Sequence, residues 1–199
     1  MVRRRGLEVV AVDPSTGMLA ELTRTLPEVP VAAASAESLP LRDRLADVVL
    51  VAQAWHWVDP RRAVPEIARV LKPGGWLGLV WNVRDVREAW VAGLGRILNR
   101  AAEQDMYSGA PRVGPPFGPL QRRDFAWTSH LTLAGLLDLV ASRSYVITRL
   151  PDERAAILAA VTDLVERDSR LDPGDIRLPY IARAARTRLP PNWQESWPS

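Results

Sequence analysis

The stretch Leu45-Ala-Asp-Val-Val-Leu-Val-Ala-Gln-Ala-Trp-His-Trp-Val-Asp-Pro60 decides the fold, together with its continuation Val70-Leu-Lys-Pro-Gly-Gly-Trp-Leu-Gly-Leu-Val-Trp-Asn82. Asp47 to Ala52 is a continuous apolar run rich in valine, the pattern of a strand buried on both faces of a parallel sheet. Asp59-Pro60 is a helix start. Asp supplies an N-cap acceptor, and Pro suits the first helical position, where no N–H is needed. Ala63, Ile67, Val70 and Leu71 recur at helical spacing. Lys72-Pro73-Gly74-Gly75 is expected to end the helix, and Trp76 to Trp81 to form a second apolar strand. The unit is β-α-β, which predicts parallel strands joined by a right-handed crossover.

Upstream, Leu7 to Val12 reads as a buried strand feeding the turn Asp13-Pro14-Ser15. A helix follows with Met18, Leu19, Leu22 and Leu26 on its apolar face, and Pro27 breaks it. Val31 to Ala34 is a short strand, and Ser35 to Pro40 the loop after it. Downstream, Glu88 to Gln104 is helical by pattern, with Trp90, Leu94, Ile97, Leu98 and Ala101 on one side. Gly109 to Pro119 is dense in Gly and Pro and reads as a loop. Phe125 to Leu131 is expected as a strand, Leu133 to Ala141 as a helix, and Asp152 as the cap of a longer helix. Ile176 to Thr187 is the last strand, and the Pro-rich tail from Pro190 is expected to be loosely held.

Composition narrows the class. The chain has 199 residues, 47% hydrophobic and 25% charged, as expected of one globular domain. Net charge is +3, from 26 basic and 23 acidic residues, and the arginines are spread along the chain. That argues against a nucleic-acid footprint. With no cysteine there is no disulfide, thiolate nucleophile or Cys-ligated zinc. His56 and His130 are the only histidines, too few for the usual zinc site, so no metal is expected. No apolar run reaches membrane-spanning length, and the Arg3-Arg4-Arg5 start is not followed by a signal-peptide core, so a cytoplasmic protein is expected.

In an open α/β sheet, ligands bind beyond the carboxyl ends of the strands. The residues at those exits are Asp13-Pro14, Ser35-Ala36-Glu37, Gln53-Ala54-Trp55-His56-Trp57 and Trp81-Asn82. Asp13 is an acceptor-only carboxylate that can take both hydroxyls of a ribose, or it can cap the next helix. Nicotinamide dehydrogenases use such a residue in the same way. His56 is the one candidate general base, since a near-neutral imidazole can accept a proton from an acceptor hydroxyl or acid. It can equally be a packed residue between two tryptophans. Trp55 and Trp57 are read as pocket walls, one of which can pack instead. Gln53 is a polar end to a buried strand or a ligand contact.

The run from Asp47 to Asp59 and the run Ala68-Arg-Val-Leu-Lys-Pro-Gly-Gly-Trp-Leu77 resemble the middle of a class I S-adenosylmethionine-dependent methyltransferase. The likeness is to the small-molecule branch that includes quinone-biosynthesis and trans-aconitate methyltransferases. Ser142-Arg-Ser-Tyr145, Leu150-Pro151 and Leu178-Pro-Tyr180 continue it in order. The resemblance implies a Rossmann-like α/β sheet with helices on both faces and a C-terminal antiparallel hairpin, forming one domain over residues 1–189. Residues 1–85 would form the cofactor side and residues 86–189 would complete the sheet and substrate side, followed by a flexible tail, 190–199. It implies S-adenosylmethionine as cofactor, held by Asp13, Pro14, Ala36, Glu37 and Gln53. Trp55, Trp57, Trp81 and Asn82 would meet a small-molecule acceptor, methylated at oxygen or carbon with His56 as base. No nucleic-acid or membrane partner is implied, and a homodimer is an open expectation.

The family's Asp-x-Gly-x-Gly-x-Gly turn, whose glycines let backbone approach the cofactor, is not found in the sequence. Met1 to Gly6 resembles the tail of the helix that follows that turn. The expectation is a sheet truncated at the N-terminus, with a gap between the strands ending at Asp13 and Gln53. The alternative reading is a non-catalytic binding or dimerisation module that uses the open strand edges.

Overall fold

In the computed structural model, residues 6–98 and 111–193 are described, Ser144 by its backbone alone. The first segment holds β1 (Ala11–Asp13), α1 (Thr16–Thr25), β2 (Val31–Ala33), β3 (Ala46–Ala52), a single 3-10 turn (Trp55–Trp57), α2 (Pro60–Val70), β4 (Leu71–Arg84) and α3 (Ala89–Ile97). The second holds β5 (Gln121–Leu131), α4 (Leu133–Ala141), α5 (Ser144–Ile147), α6 (Pro151–Arg167) and β6 (Ile176–Arg188). The expected helix residues 99–104, loop residues 109–110 and tail from 194 lie outside the described residues.

Helix starts follow local chemistry. The Ser15 hydroxyl caps α1 by accepting from the Met18 N–H at 3.3 Å. Asp59 caps α2 by accepting from the Arg61 N–H at 3.0 Å, with Pro60 at the first position. Ala63, Val64, Ile67, Ala68 and Val70 of α2 are buried, a stripe wider than the one read from the sequence. The expected cap of α6 moves. Leu150 occupies the N-cap position without a side-chain bond, Pro151 takes the first position, and the Glu153 carboxylate accepts from the Leu150 N–H at 3.3 Å. Pro151 already has the φ that a first helical residue needs, so Asp152 falls inside the first turn, where the helix dipole favours an anion.

A second correction concerns residues 71–75. They do not close α2 but open the 14-residue β4. Pro73 pushes Lys72 towards extended backbone, and Leu71 already has φ −74° and ψ 140°. Gly74 adopts φ +79°, a conformation that an L side chain resists. A Cβ on Gly75 would stand 2.9 Å from the Lys72 carbonyl oxygen and 3.1 Å from that of Asp47. One on Gly78 would stand 2.6 Å from the tip of Leu50, a side chain that is 59% exposed and can swing away. Gly75→Ala should therefore cost about 1–3 kcal/mol. Gly78→Ala should cost less than about 1 kcal/mol. Paired thermal melts test this ranking, and equal losses would overturn it.

The strands form two sheets: β1 pairs with β2 in parallel, and the other four run in the order β3-β4-β6-β5. Lys72 bonds Asp47, and Leu50 lies over Gly78; these numbers rise together, as in parallel β3 and β4. Arg188 bonds Gly74 and Arg186 covers Trp76, so β4 and β6 run antiparallel. Gln121 bonds Arg186 and Trp127 stacks on Tyr180, which makes β5 and β6 the antiparallel C-terminal hairpin. Among the described residues β1 pairs only with β2, and β3 only with β4. Each therefore keeps one edge without a strand partner among these residues.

Contacts group the chain into two compact units. One comprises the described residues of 1–79, 111–121 and 185–199, the other those of 80–110 and 122–184. The first buries Leu19, Trp55, Ile67, Leu71, Leu77 and Leu79. The second has a core of Trp90, Val91, Leu94, Leu136, Val140, Val161, Val165, Ile176 and Leu178. Among the described residues no helix is long and apolar enough to cross a membrane.

Candidate active site

In the first unit the loops leaving β1, β2 and β3 carry most of the expected cofactor residues. Asp13 ends β1. Its Oδ1 accepts from the Ser15 N–H at 2.7 Å, a tight turn that carries the chain past exposed Pro14 into α1. Oδ2 takes no part in that turn. The Ala34 N–H donates to the Asp13 carbonyl at 3.3 Å and holds the exits of β1 and β2 side by side.

After β2, Ser35 and Ser38 form an isolated antiparallel bridge that puts Ala36 and Glu37 at the tip of a turn. Glu37 Oε1 accepts from the Asp59 N–H at 2.9 Å. That bond, then the Ser35 hydroxyl and the Arg62 charge, hold its carboxyl below the ordinary 4.5. Glu37 thus braces the start of α2 through one oxygen, and the backbone of the turn is open to a ligand. The chemistry expected here from the Glu37 side chain is partly committed to the fold.

Gln53, just beyond β3, has φ +57°. A non-glycine residue held there costs roughly 1–3 kcal/mol, a strain that proteins concentrate at functional sites. The 3-10 turn that follows sends its two tryptophans in different directions. Trp55 is 4% exposed and belongs to the core, while Trp57 is 81% exposed. His56 is half-buried, with its ring 4.8 Å from that of Trp57 and its Nδ1 shielded from solvent. Of the two expected pocket walls, then, only Trp57 is open to a ligand.

Trp81 and Asn82 belong to the second unit and, as strand neighbours, point to opposite faces. Trp81 is buried and Asn82 exposed. Asn82 Oδ1 accepts from the Trp127 indole N–H at 3.3 Å, and Trp127 stacks on Tyr180 at 4.8 Å and 13°. This cluster has no counterpart in the sequence reading. The Phe125/Trp127 alternation on β5 was visible, but its placement beside Asn82 requires the strand order. His130, the other histidine, bonds Asp175 at 2.7 Å, and no metal-holding cluster occurs among the described residues.

A methyltransferase-domain family model matches residues 1–79. An uncharacterized methyltransferase of Mycobacterium tuberculosis is 47% identical over 186 residues, 93% of this chain and 76% of that protein. The chain belongs to the methyltransferase family. An uncharacterized methyltransferase-like protein of Schizosaccharomyces pombe is 33% identical to this methyltransferase over 195 residues, 92% of this chain and 74% of that protein. A solved structure from Anaeromyxobacter dehalogenans, assigned as a type II methyltransferase, aligns at TM-score 0.66 and 25% identity. It covers 92% of the methyltransferase and 81% of its own chain. Family and fold imply S-adenosylmethionine as the methyl source.

Proposed function

We propose that this methyltransferase moves a methyl group from S-adenosylmethionine to oxygen or carbon of a small-molecule acceptor. The observation that carries the reading is the half-buried Asp13 carboxylate at the β1 exit, with one oxygen outside its own turn. The donor set fits the nucleoside end of that cofactor. Asp13 would accept from the ribose hydroxyls, the Ala36-Glu37 turn would offer backbone to the adenine edge, and Gln53 would meet the methionine portion. When bound, the cofactor supplies a methyl group already activated on a sulfonium. The chain's task is mainly to place the acceptor in line, which needs no catalytic pair. His56 would take the acceptor's proton at Nε2.

Calorimetric titration with S-adenosylhomocysteine tests the reading, with reduced nicotinamide dinucleotide as the competing ligand for an Asp of this kind. Binding of the nicotinamide and not of the homocysteine product would overturn it. For His56, we expect His56→Gln to remove the acidic limb of the pH–rate profile while S-adenosylhomocysteine affinity stays the same. An unchanged limb would leave His56 a packing residue.

The edges of β1 and β3 that lack a strand partner among the described residues, with Val48 and Leu50 at 50% and 59% exposure, favour a second reading as a pairing module. Sedimentation over a hundredfold range of concentration distinguishes the two. A constant monomer that methylates would remove the second reading.

A further inference from the structure

The second unit carries an exposed aromatic surface that the proposed mechanism does not use. Phe125 and Trp127 alternate onto one face of edge strand β5 and are 48% and 43% exposed. Exposed large aromatics side by side on a strand cost solvation and usually mark a contact surface. This pair is also held in place. Trp127 lies flat on Tyr180, which is itself 8% exposed, and the indole N–H is bonded to Asn82. The ring therefore keeps one orientation, which removes much of the entropy cost of stacking a ligand on it.

The surroundings are cationic. The Arg123 guanidinium sits 5.1 Å over the Phe125 ring and has no carboxylate partner among the described residues. Burial raises the Tyr180 pKa, and the charge of nearby Arg143 acts against that rise. A planar ring with an acidic substituent is the ligand chemistry that satisfies both features: stacking for the indole and a counter-charge for the guanidiniums.

We propose that Trp127 and Phe125, backed by Tyr180 and Asn82 and flanked by Arg123 and Arg143, form a binding site for a planar aromatic acid, and that this is the class of the methyl acceptor. The second clause rests on the methyl-transfer reading. The site is a specificity surface, and Asn82, already expected to meet the acceptor, is its link to the carboxyl end of β4.

The test uses 2-naphthoate as probe and cyclohexanecarboxylate as its non-planar control, titrated by calorimetry. We expect 2-naphthoate to bind at least tenfold more tightly than the control. Trp127→Leu should remove that preference, and Trp127→Phe should restore most of it. Arg123→Gln should weaken 2-naphthoate severalfold and flatten its salt dependence. Circular dichroism of each variant checks folding, and the Phe variant separates loss of stacking from loss of structure. Equal binding of the two acids, or an unaffected Trp127→Leu, overturns the site. S-adenosylhomocysteine is titrated in the same samples. Failure of that ligand alone refutes methyl transfer and leaves the aromatic site, whereas failure of 2-naphthoate alone does the reverse.

Discussion

Arg69→Leu will unfold about 6–12 °C below the parent chain, taking ~2–4 °C per kcal/mol for a domain of this size. Arg69 is the hub of the first unit. Its guanidinium donates to both Glu66 oxygens, at 2.8 and 2.7 Å, to the Leu41 carbonyl at 2.9 Å, to the Leu39 carbonyl at 3.1 Å, and to Asp43. Glu66 in turn accepts from the Leu39 N–H at 2.7 Å. These bonds tie the loop ahead of β3 to the last turn of α2. The Glu66 side chain is only 18% exposed, so removing Arg69 strands a charge with little water to solvate it. Breaking one partner of such a pair costs about 3 kcal/mol, whereas replacing both with apolar groups is often neutral. The double variant Arg69→Leu/Glu66→Leu should accordingly recover most of the lost stability.

The effect also has a sign in pH. The bond from Arg69, the largest contribution, holds the Glu66 pKa below its ordinary 4.5. A depressed carboxyl pKa stabilises the fold fully above the unfolded value, and this is lost as pH falls through the folded value. The gap between parent and single variant should therefore be constant from neutral pH to about 5 and narrow below that. Denaturant melts across this range measure it. A gap that widens in acid, or a double variant no better than the single, would remove Arg69 from this role.

The second large effect concerns Asp13→Asn. Asparagine can still accept the Ser15 N–H, so the turn into α1 should survive. What changes is the other atom, from a charged acceptor to an amide donor that cannot take a ribose hydroxyl. A hydrogen bond to a charged group contributes ~1.5–3 kcal/mol, so S-adenosylhomocysteine affinity should fall roughly tenfold to a hundredfold. Melting temperature should hardly move. Asp13→Ala, which also loses the turn, should lose the same affinity and some stability as well. Calorimetry with paired melts separates the two roles. If Asn leaves affinity intact and Ala lowers only stability, Asp13 is a turn residue.

The readings that held rest on short-range physics. Asp59-Pro60 caps α2 as expected, because an acceptor before a proline is read by the next two residues alone. Leu133–Ala141 matches its expected bounds, since Thr132 supplies a local cap to the Gly135 N–H at 3.1 Å. The reading failed where a contact from far along the chain overrides a local signal. Lys72 to Gly75 looked like a helix stop. Pro73 favours extended backbone locally, but the strand itself needs β3 and β6 on either side, whose register shows in the Lys72–Asp47 and Arg188–Gly74 bonds across 25 and 114 residues.

By itself, then, the sequence determined the element types, the β-α-β unit and the line of polar residues at the strand exits, all set by periodicity and neighbouring residues, and its motifs carried the resemblance to the family. Only the tertiary structure decided how those residues are used. It turned Trp55 into the core and Trp57 outward, spent one Glu37 oxygen on Asp59, put Gln53 at φ +57°, and stacked Trp127 on Tyr180 beside Asn82. The physical reason is that a side chain's exposure and free valences depend on which distant backbone lies against it. Strand order and register set that, and no local pattern encodes either.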